Sequence, residues 1–337
     1  MQWTDKHLLL ITGATGLVGS HVAEEAAKRG IRVRALVRQS SKIKFLQKLG
    51  VEWVSGGMTE PFSLKAALNE VTHVVHCAAM VGDWGDPRRY HEVNVTGLES
   101  FLEAARECDT LQRFVHISSL GVYPVRDHHG TDESSPTSTE GIDGYTKSKV
   151  EAEGIMTHYV DRENVPCVAL RPGFIYGPRD KTVLPRIITR LRDGKASYIG
   201  DGETKLNNTY VKNLVDAIFL ALERNDHIGE FFNIRDETLV TKKEFFETIA
   251  RFGGLPLPKR EIPLGAAKAI ATGWEFLWRA INMDSPPPLS QATVKFLGYN
   301  LDYSIHKAKK ELVYKPQVDF KDAIQTTLEW YRKKGRI

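Results

Sequence analysis

Short apolar runs rich in β-branched residues alternate with stretches of helical apolar spacing through the first half of the chain. Residues 7–12, 32–37, 51–54, 73–76, 113–117 and 167–171 read as strands. Residues 18–29, 42–49, 63–68, 94–107 and 144–159 read as the helices between them. This alternation predicts βαβ units and an α/β fold whose parallel sheet is covered on both faces. Residues 126–141 are polar and rich in Ser, Thr, His and Gly, and read as a long loop, a mobile lid before the helix at 144. After Pro172, prolines and glycines become frequent, and helices at 183–193 and 242–252 sit among short strands. The pattern predicts a first domain of residues 1–175, to which 206–222 returns. A smaller C-terminal α+β domain takes 176–205 and 223–337.

One later stretch carries an apolar stripe at helical spacing: Ile270, Trp274, Leu277, Trp278 and Ile281. Core packing is the plain reading. The sharper one is an apolar substrate entrance or a peripheral membrane contact through 264–283. Lys268, Glu275 and Arg279 exclude a spanning helix there.

The chain of 337 residues is long enough for one large or two modest domains. Its 42% hydrophobic and 26% charged residues are ordinary for a soluble protein. The net charge of +4 is too mild to imply nucleic acid, and no basic run is interleaved with aromatics. Three cysteines, Cys77, Cys108 and Cys167, fit no metal spacing and read as reduced thiols of a cytoplasmic protein. Cys77 lies in an apolar run and reads as packing. Residues 8–11 are too short for the apolar region of a signal peptide and lead straight into glycines. No metal and no membrane span are expected.

The run Leu8–Thr12 enters Gly13, Gly16 and Gly19, and a helix begins near Leu17. A dinucleotide pyrophosphate needs close backbone approach and free N–H groups at a helix N-terminus. Strand, glycines and helix in that order, opening a βαβ unit, point to such a site formed by Gly13, Thr15, Gly16, Leu17, Val18 and Gly19. At the end of the second strand an acidic residue would take the ribose hydroxyl of NAD. Arg38, with Ser40 and Lys42, suits a 2′-phosphate and favours NADP(H) over NAD(H). A solvated basic turn is the plain alternative.

Tyr145 and Lys149 lie four apart, on one helix face. An unperturbed phenol, with a pKa of about 10, is too weak an acid for neutral-pH catalysis, and a nearby ammonium lowers it. The pair therefore makes sense as a proton donor and its tuner. Spacing alone does not decide it, because Tyr303 and Lys307 match equally well. Tyr145, however, follows a strand ending in Ser118-Ser119, whose hydroxyls could bind a substrate carbonyl. The Tyr303 pair reads as an accidental match on a surface helix.

These motifs, in this order, resemble an extended short-chain dehydrogenase/reductase. The matching stretches are Thr12–Gly19, His76-Cys77-Ala78-Ala79, Asn94-Val95-Thr96-Gly97, Ser118-Ser119 with Val122-Tyr123, Tyr145 to Lys149, and Arg171-Pro172-Gly173 through Tyr176-Gly177-Pro178. They cover most of residues 7–215. The resemblance implies a Rossmann doubly wound sheet. It implies Tyr145 as general acid/base, Lys149 on the nicotinamide ribose, Ser119 orienting the carbonyl with Ser118 as runner-up, and Asn94 supporting a proton relay. Ala78 and Ala79 would line the dinucleotide, and Pro172, Gly173 and Ile175 would face the nicotinamide. The family's Gly-Asp after the third strand is Gly56-Gly57 here, so the adenine contact is absent or replaced.

Within the family the chain is similar to the 3β-hydroxysteroid dehydrogenase-like branch, which includes sterol-4-carboxylate dehydrogenases and 2-alkyl-3-oxoalkanoate reductases. The similar stretches are 81–85, 171–180, 199–202, 208–213 and 287–289. This implies Val81, Trp84, Ser119, Tyr176 and Asn208 at the substrate, a hydrophobic secondary alcohol or ketone. The rival is a nucleotide-sugar epimerase or dehydratase. Such enzymes place an arginine four residues before the position of Tyr210, where this chain has Leu206, which cannot pair with phosphate. A third reading is a non-catalytic dinucleotide sensor. A homodimer is left open.

Overall fold

The computed structural model describes residues 2–138, 140, 143–224 and 226–337. Seven strands, numbered here in chain order, form its main sheet: β1 (Leu8–Thr12), β2 (Arg32–Val37), β3 (Glu52–Ser55), β4 (His73–His76), β5 (Arg113–Ile117), β6 (Cys167–Pro172) and β7 (Phe231–Ile234). Their order is β7-β6-β5-β4-β1-β2-β3, and every pair is parallel. The order reverses between β1 and β4, which opens a crevice at the carboxyl ends of the strands, where such sheets bind ligands.

Side-chain alternation along β1 builds both covering layers. Leu9 and Ile11 point into one core, with Val22 and Ala26 of the helix Leu17–Lys28 and Leu214 and Ile218 of the helix Val211–Glu223. Leu8 and Leu10 point into the other, with Leu98, Phe101 and Leu102 of Gly97–Arg106 and Met156 of Gly144–Glu163. Each such buried Leu contributes about 1.5–3 kcal/mol. A third core holds the second domain together through Leu184, Ile188, Phe245, Ile249, Ile324 and Leu328. Two short parallel pairs edge this region: Phe174–Tyr176 with Asn208–Tyr210, and Ser197–Ile199 with Arg260–Ile262.

Four details depart from the sequence reading. The strand Phe231–Ile234 lies beyond residue 222, yet it closes the main sheet beside β6. Much of 126–141 is pinned and not a free lid, because His128–Thr131 pairs with Leu301–Tyr303; residues 139 and 141 of that stretch lie outside the described ones. Tyr303 sits on that buried strand, stacked on Tyr123 with centroids 5.3 Å apart. Lys307 belongs to the following helix, His306–Glu311, so the second Tyr/Lys pair shares no helix face.

The apolar stripe near Trp274 also divides. The helix Leu264–Ala280 docks through Ala267 and Ala271 onto Ile199 and Val294. This small-residue seam turns Ile270, Phe276, Leu277 and Ile281 outward, with Phe276 76% exposed. Trp274 and Trp278 stay partly buried and meet edge to face at 4.8 Å. Among the described residues, no helix is long and apolar enough to cross a membrane.

Candidate active site

The glycine turn leaves β1 at the crevice. Gly13 holds φ +67°, and a Cβ there would lie 2.8 Å from the Ala78 nitrogen. A Cβ on Gly19 would lie 2.5 Å from the Gly13 carbonyl oxygen. The glycines are therefore required by a backbone-on-backbone approach and by positive φ. Gly16 caps the helix Leu17–Lys28 without a side-chain acceptor, and the first turn carries no acidic residue. Free N–H groups at such a helix start suit a phosphate. Thr12 secures the neighbouring strand end: its hydroxyl meets His76 Nδ1 at 2.9 Å and accepts the Ala78 N–H at 3.2 Å. The Thr15 carbonyl oxygen accepts from Lys181 Nζ at 3.3 Å. Leu17 and Val18 are partly buried on the first turn.

Arg38 follows β2 directly and is exposed, as are Ser40 and Lys42. Among the described residues, no hydrogen bond or ion pair holds its guanidinium. Gly56 packs tightly, because a Cβ would fall 2.2 Å from Ser63.

Tyr145 stands on the first turn of Gly144–Glu163, which Asp143 caps by accepting the Thr146 N–H at 2.7 Å. Lys149 follows one turn later, its ammonium 6.0 Å from the Tyr145 ring centroid. It donates to the Ile117 carbonyl oxygen at 2.7 Å. The expected lowering of the tyrosine does not result. Burial pushes the Tyr145 phenol up to about 12, while a side-chain interaction with Ser119 pulls the other way. Burial draws Lys149 down to about 8, against the pull of Glu153 and Cys77.

The two serines part company. Ser118 is buried and donates to Glu153 Oε1 at 2.5 Å. Glu153 in turn holds Arg171 at 2.7 Å, and Arg171 donates to Tyr123 Oη at 3.0 Å. Ser119 is partly buried and faces Tyr145, its Oγ accepting the Gly121 N–H at 3.0 Å. Ser118 is thus taken up by Glu153, while Ser119 keeps its hydroxyl hydrogen for another partner. Asn94 lies on a single π-helical turn, Glu92–Thr96. It accepts the Met80 N–H at 2.7 Å and donates to the Ser148 hydroxyl at 2.9 Å. It therefore joins the Ala78-Ala79-Met80 segment to the Tyr145 helix.

Two expected substrate contacts, Tyr176 and Asn208, turn the other way. Tyr176 is fully buried and donates to Asp236 Oδ2 at 3.0 Å. Asn208 is fully buried as well and donates to the same oxygen at 3.0 Å. Neither reaches a substrate: both satisfy a buried carboxylate that would otherwise be costly. Gly173 presses on Asn207, where a Cβ would fall 2.0 Å from the carbonyl oxygen. Pro172 ends β6, and Ile175 is partly buried against two cores. Val81 is exposed. Trp84 closes toward the second domain by donating to the Met283 carbonyl oxygen at 2.9 Å. Leu206 is a core residue beside Tyr176 and Tyr210, so its position presents nothing to a ligand. Cys77 is partly buried, its thiol pushed up to about 12 by burial.

Residues 9–234 match the model of the NAD dependent epimerase/dehydratase family. The chain is 30% identical to the 4-hydroxy-2-methyl-3-oxo-4-farnesyl-3,4-dihydroquinoline-1-oxide ketoreductase of Stigmatella aurantiaca, over 91% of this chain and 92% of that one. It is 29% identical to the 2-alkyl-3-oxoalkanoate reductase of Stenotrophomonas maltophilia, over 94% and 97%. It is 30% identical to the sterol-4-alpha-carboxylate 3-dehydrogenase of Saccharomyces cerevisiae, over 96% and 97%. The crystal structure of gox2253 superposes with a TM-score of 0.84 at 30% identity, covering 98% of this chain and 99% of that one.

Proposed function

This chain belongs to the NAD dependent epimerase/dehydratase family, and we propose that it interconverts a hydrophobic secondary alcohol and ketone with Tyr145 as the proton donor and acceptor. The observation that carries the reading is the 2.7 Å bond from Lys149 to the Ile117 carbonyl oxygen, which ties the helix of Tyr145 to the strand that runs into Ser118-Ser119 at the carboxyl edge of the sheet. The tight glycines and the uncapped helix start fit a dinucleotide pyrophosphate at Gly13, Thr15, Gly16, Leu17, Val18 and Gly19. Arg38 would take a 2′-phosphate, which favours NADP(H). Ala78, Ala79, Pro172, Gly173 and Ile175 would flank the rest of the cofactor. When bound, the nicotinamide supplies the hydride in reduction and takes it in oxidation.

This chain's own residues do the remaining work. Ser119 hydrogen-bonds the substrate oxygen and fixes its place. Tyr145 keeps its proton across neutral pH and gives it to that oxygen in reduction. Lys149 holds the strand end and helix together and offers its remaining N–H groups to the ribose. Asn94 fixes the Met80 backbone at the mouth as a positioning residue.

Val81 and Trp84 lie on the loop where substrate would enter. The outward apolar face of Leu264–Ala280 reaches this loop through the Trp84–Met283 bond, and we place peripheral membrane contact there. An apolar substrate suits this surface better than a sugar nucleotide. A panel of 3-ketosteroids, long-chain β-keto acids and UDP-sugars, followed by NADPH and NADH absorbance, tests the reading. Turnover of an apolar ketone is expected, and turnover of UDP-sugars alone would overturn it.

A further inference from the structure

The helix Gln291–Gly298 bridges two loops that leave the carboxyl ends of β4 and β5. At its start, Ser290 Oγ donates to Asp83 Oδ2 at 3.2 Å, on the loop that carries Val81 and Trp84. Farther along, Lys295 Nζ donates to the Gly121 carbonyl oxygen at 3.1 Å. Gly121 stands two residues beyond Ser119, and a Cβ on it would lie 3.1 Å from Ser119 Oγ and 3.9 Å from Thr146 Oγ1. Thr146 is the neighbour of Tyr145. The ammonium therefore arrives on the short turn that carries Ser119, from the second domain's side.

An ammonium has three N–H donors and no acceptor. Among the described residues, Lys295 has one acceptor, and no carboxylate lies within 4.0 Å of it. Lys242, a buried lysine elsewhere, shows the satisfied arrangement: Thr204 Oγ1 at 3.0 Å, the Lys205 carbonyl oxygen at 2.7 Å and the Tyr299 carbonyl oxygen all accept from it. Burial draws the Lys295 ammonium below its usual value, and the Asp143 carboxylate pulls the other way. Asp143 spends its own oxygens on the Thr146 N–H and hydroxyl. A partly buried cation with donors to spare beside Ser119 suits an anion, which would accept charge-assisted hydrogen bonds from it.

We infer that Lys295 is a specificity-determining residue that receives the carboxylate of a 3-hydroxy or 3-oxo acid substrate beside Ser119. In such a molecule one carbon separates the carboxyl group from the carbinol carbon, so both groups can address one turn of the protein. The inference rests on the alcohol/ketone reading above.

The test compares wild type, Lys295→Met and Lys295→Arg on a long-chain 3-hydroxy acid and its methyl ester, in oxidation with NAD and NADP. Wild type should prefer the acid. Lys295→Met should collapse that preference by about tenfold or more, mainly through KM for the acid, as loss of a charged hydrogen bond dictates. Lys295→Arg should restore much of it. Equal loss on acid and ester with no recovery in Lys295→Arg would make Lys295 a mere tether and overturn the inference. Selective loss of UDP-glucose binding in Lys295→Met would assign the ammonium to a diphosphate and overturn it too. If wild type oxidises neither compound nor any alcohol of the wider panel, the oxidoreductase reading itself fails.

Discussion

Lys149 donates to the Ile117 carbonyl oxygen at 2.7 Å, tying the helix that carries Tyr145 to the strand that delivers Ser119. This bond shifts the meaning of a Tyr/Lys pair. The lysine ties the tyrosine's helix to the strand, and burial pushes the phenol up.

A pH dependence follows for catalysis. With Tyr145 held up near 12, the reduction rate should stay level from about pH 6 to the onset of Lys149 deprotonation near 8, while oxidation should rise with pH over that range because it needs the phenolate. Initial rates in both directions check this. For stability, folded Lys149 loses its proton near 8, below its ordinary 10.5. Between these values the unfolded chain binds more protons, so the contribution of Lys149 to stability improves as pH rises. Any advantage of Lys149→Met over wild type in urea unfolding should therefore shrink from pH 7 to pH 9.5.

Arg171 and Glu153 form a pair buried on both sides, each side chain only 6% exposed. Arg171→Ala strands the carboxylate, and the expected cost is about 3–5 kcal/mol by urea denaturation. Arg171→Met combined with Glu153→Leu should recover most of it, since both charges are then gone.

Arg38 is exposed and, among the described residues, its side chain makes no hydrogen bond or ion pair. Arg38→Asp should shift the kcat/KM preference from NADP(H) toward NAD(H) and leave the unfolding midpoint unchanged. Unaltered selectivity would remove Arg38 from the cofactor site.

The outward face of Leu264–Ala280 predicts sedimentation with phosphatidylglycerol/phosphatidylcholine vesicles. The double variant Phe276→Glu with Leu277→Glu should abolish it and keep turnover of a water-soluble ketone. Wild type remaining in the supernatant would count against membrane contact.

The parts of this molecule legible in its sequence are local ones. The glycine turn, the strand before it and the helix after it lie within about twenty residues, and propensity and pattern agree there. Ser119 could be preferred to Ser118 only through its register with Tyr123; the reason, Glu153 taking Ser118, is a contact across 35 positions. Tyr176 and Asn208 misled because a motif names positions and not directions: both side chains turn to buried Asp236. Phe231–Ile234 is four residues long and offers no periodicity to read. Lys295 was invisible, since one lysine in a short amphipathic helix reads as surface until Gly121 is seen above it.

Tyr145→Phe removes the proposed acid/base and little else, since the ring stays and only the hydroxyl goes. Measured side by side, kcat for ketone reduction and the Kd of NADPH decide the central claim. The account predicts a fall in kcat of about 10²–10⁴-fold with the dinucleotide still bound at close to wild-type affinity. Wild-type turnover by Tyr145→Phe would contradict it.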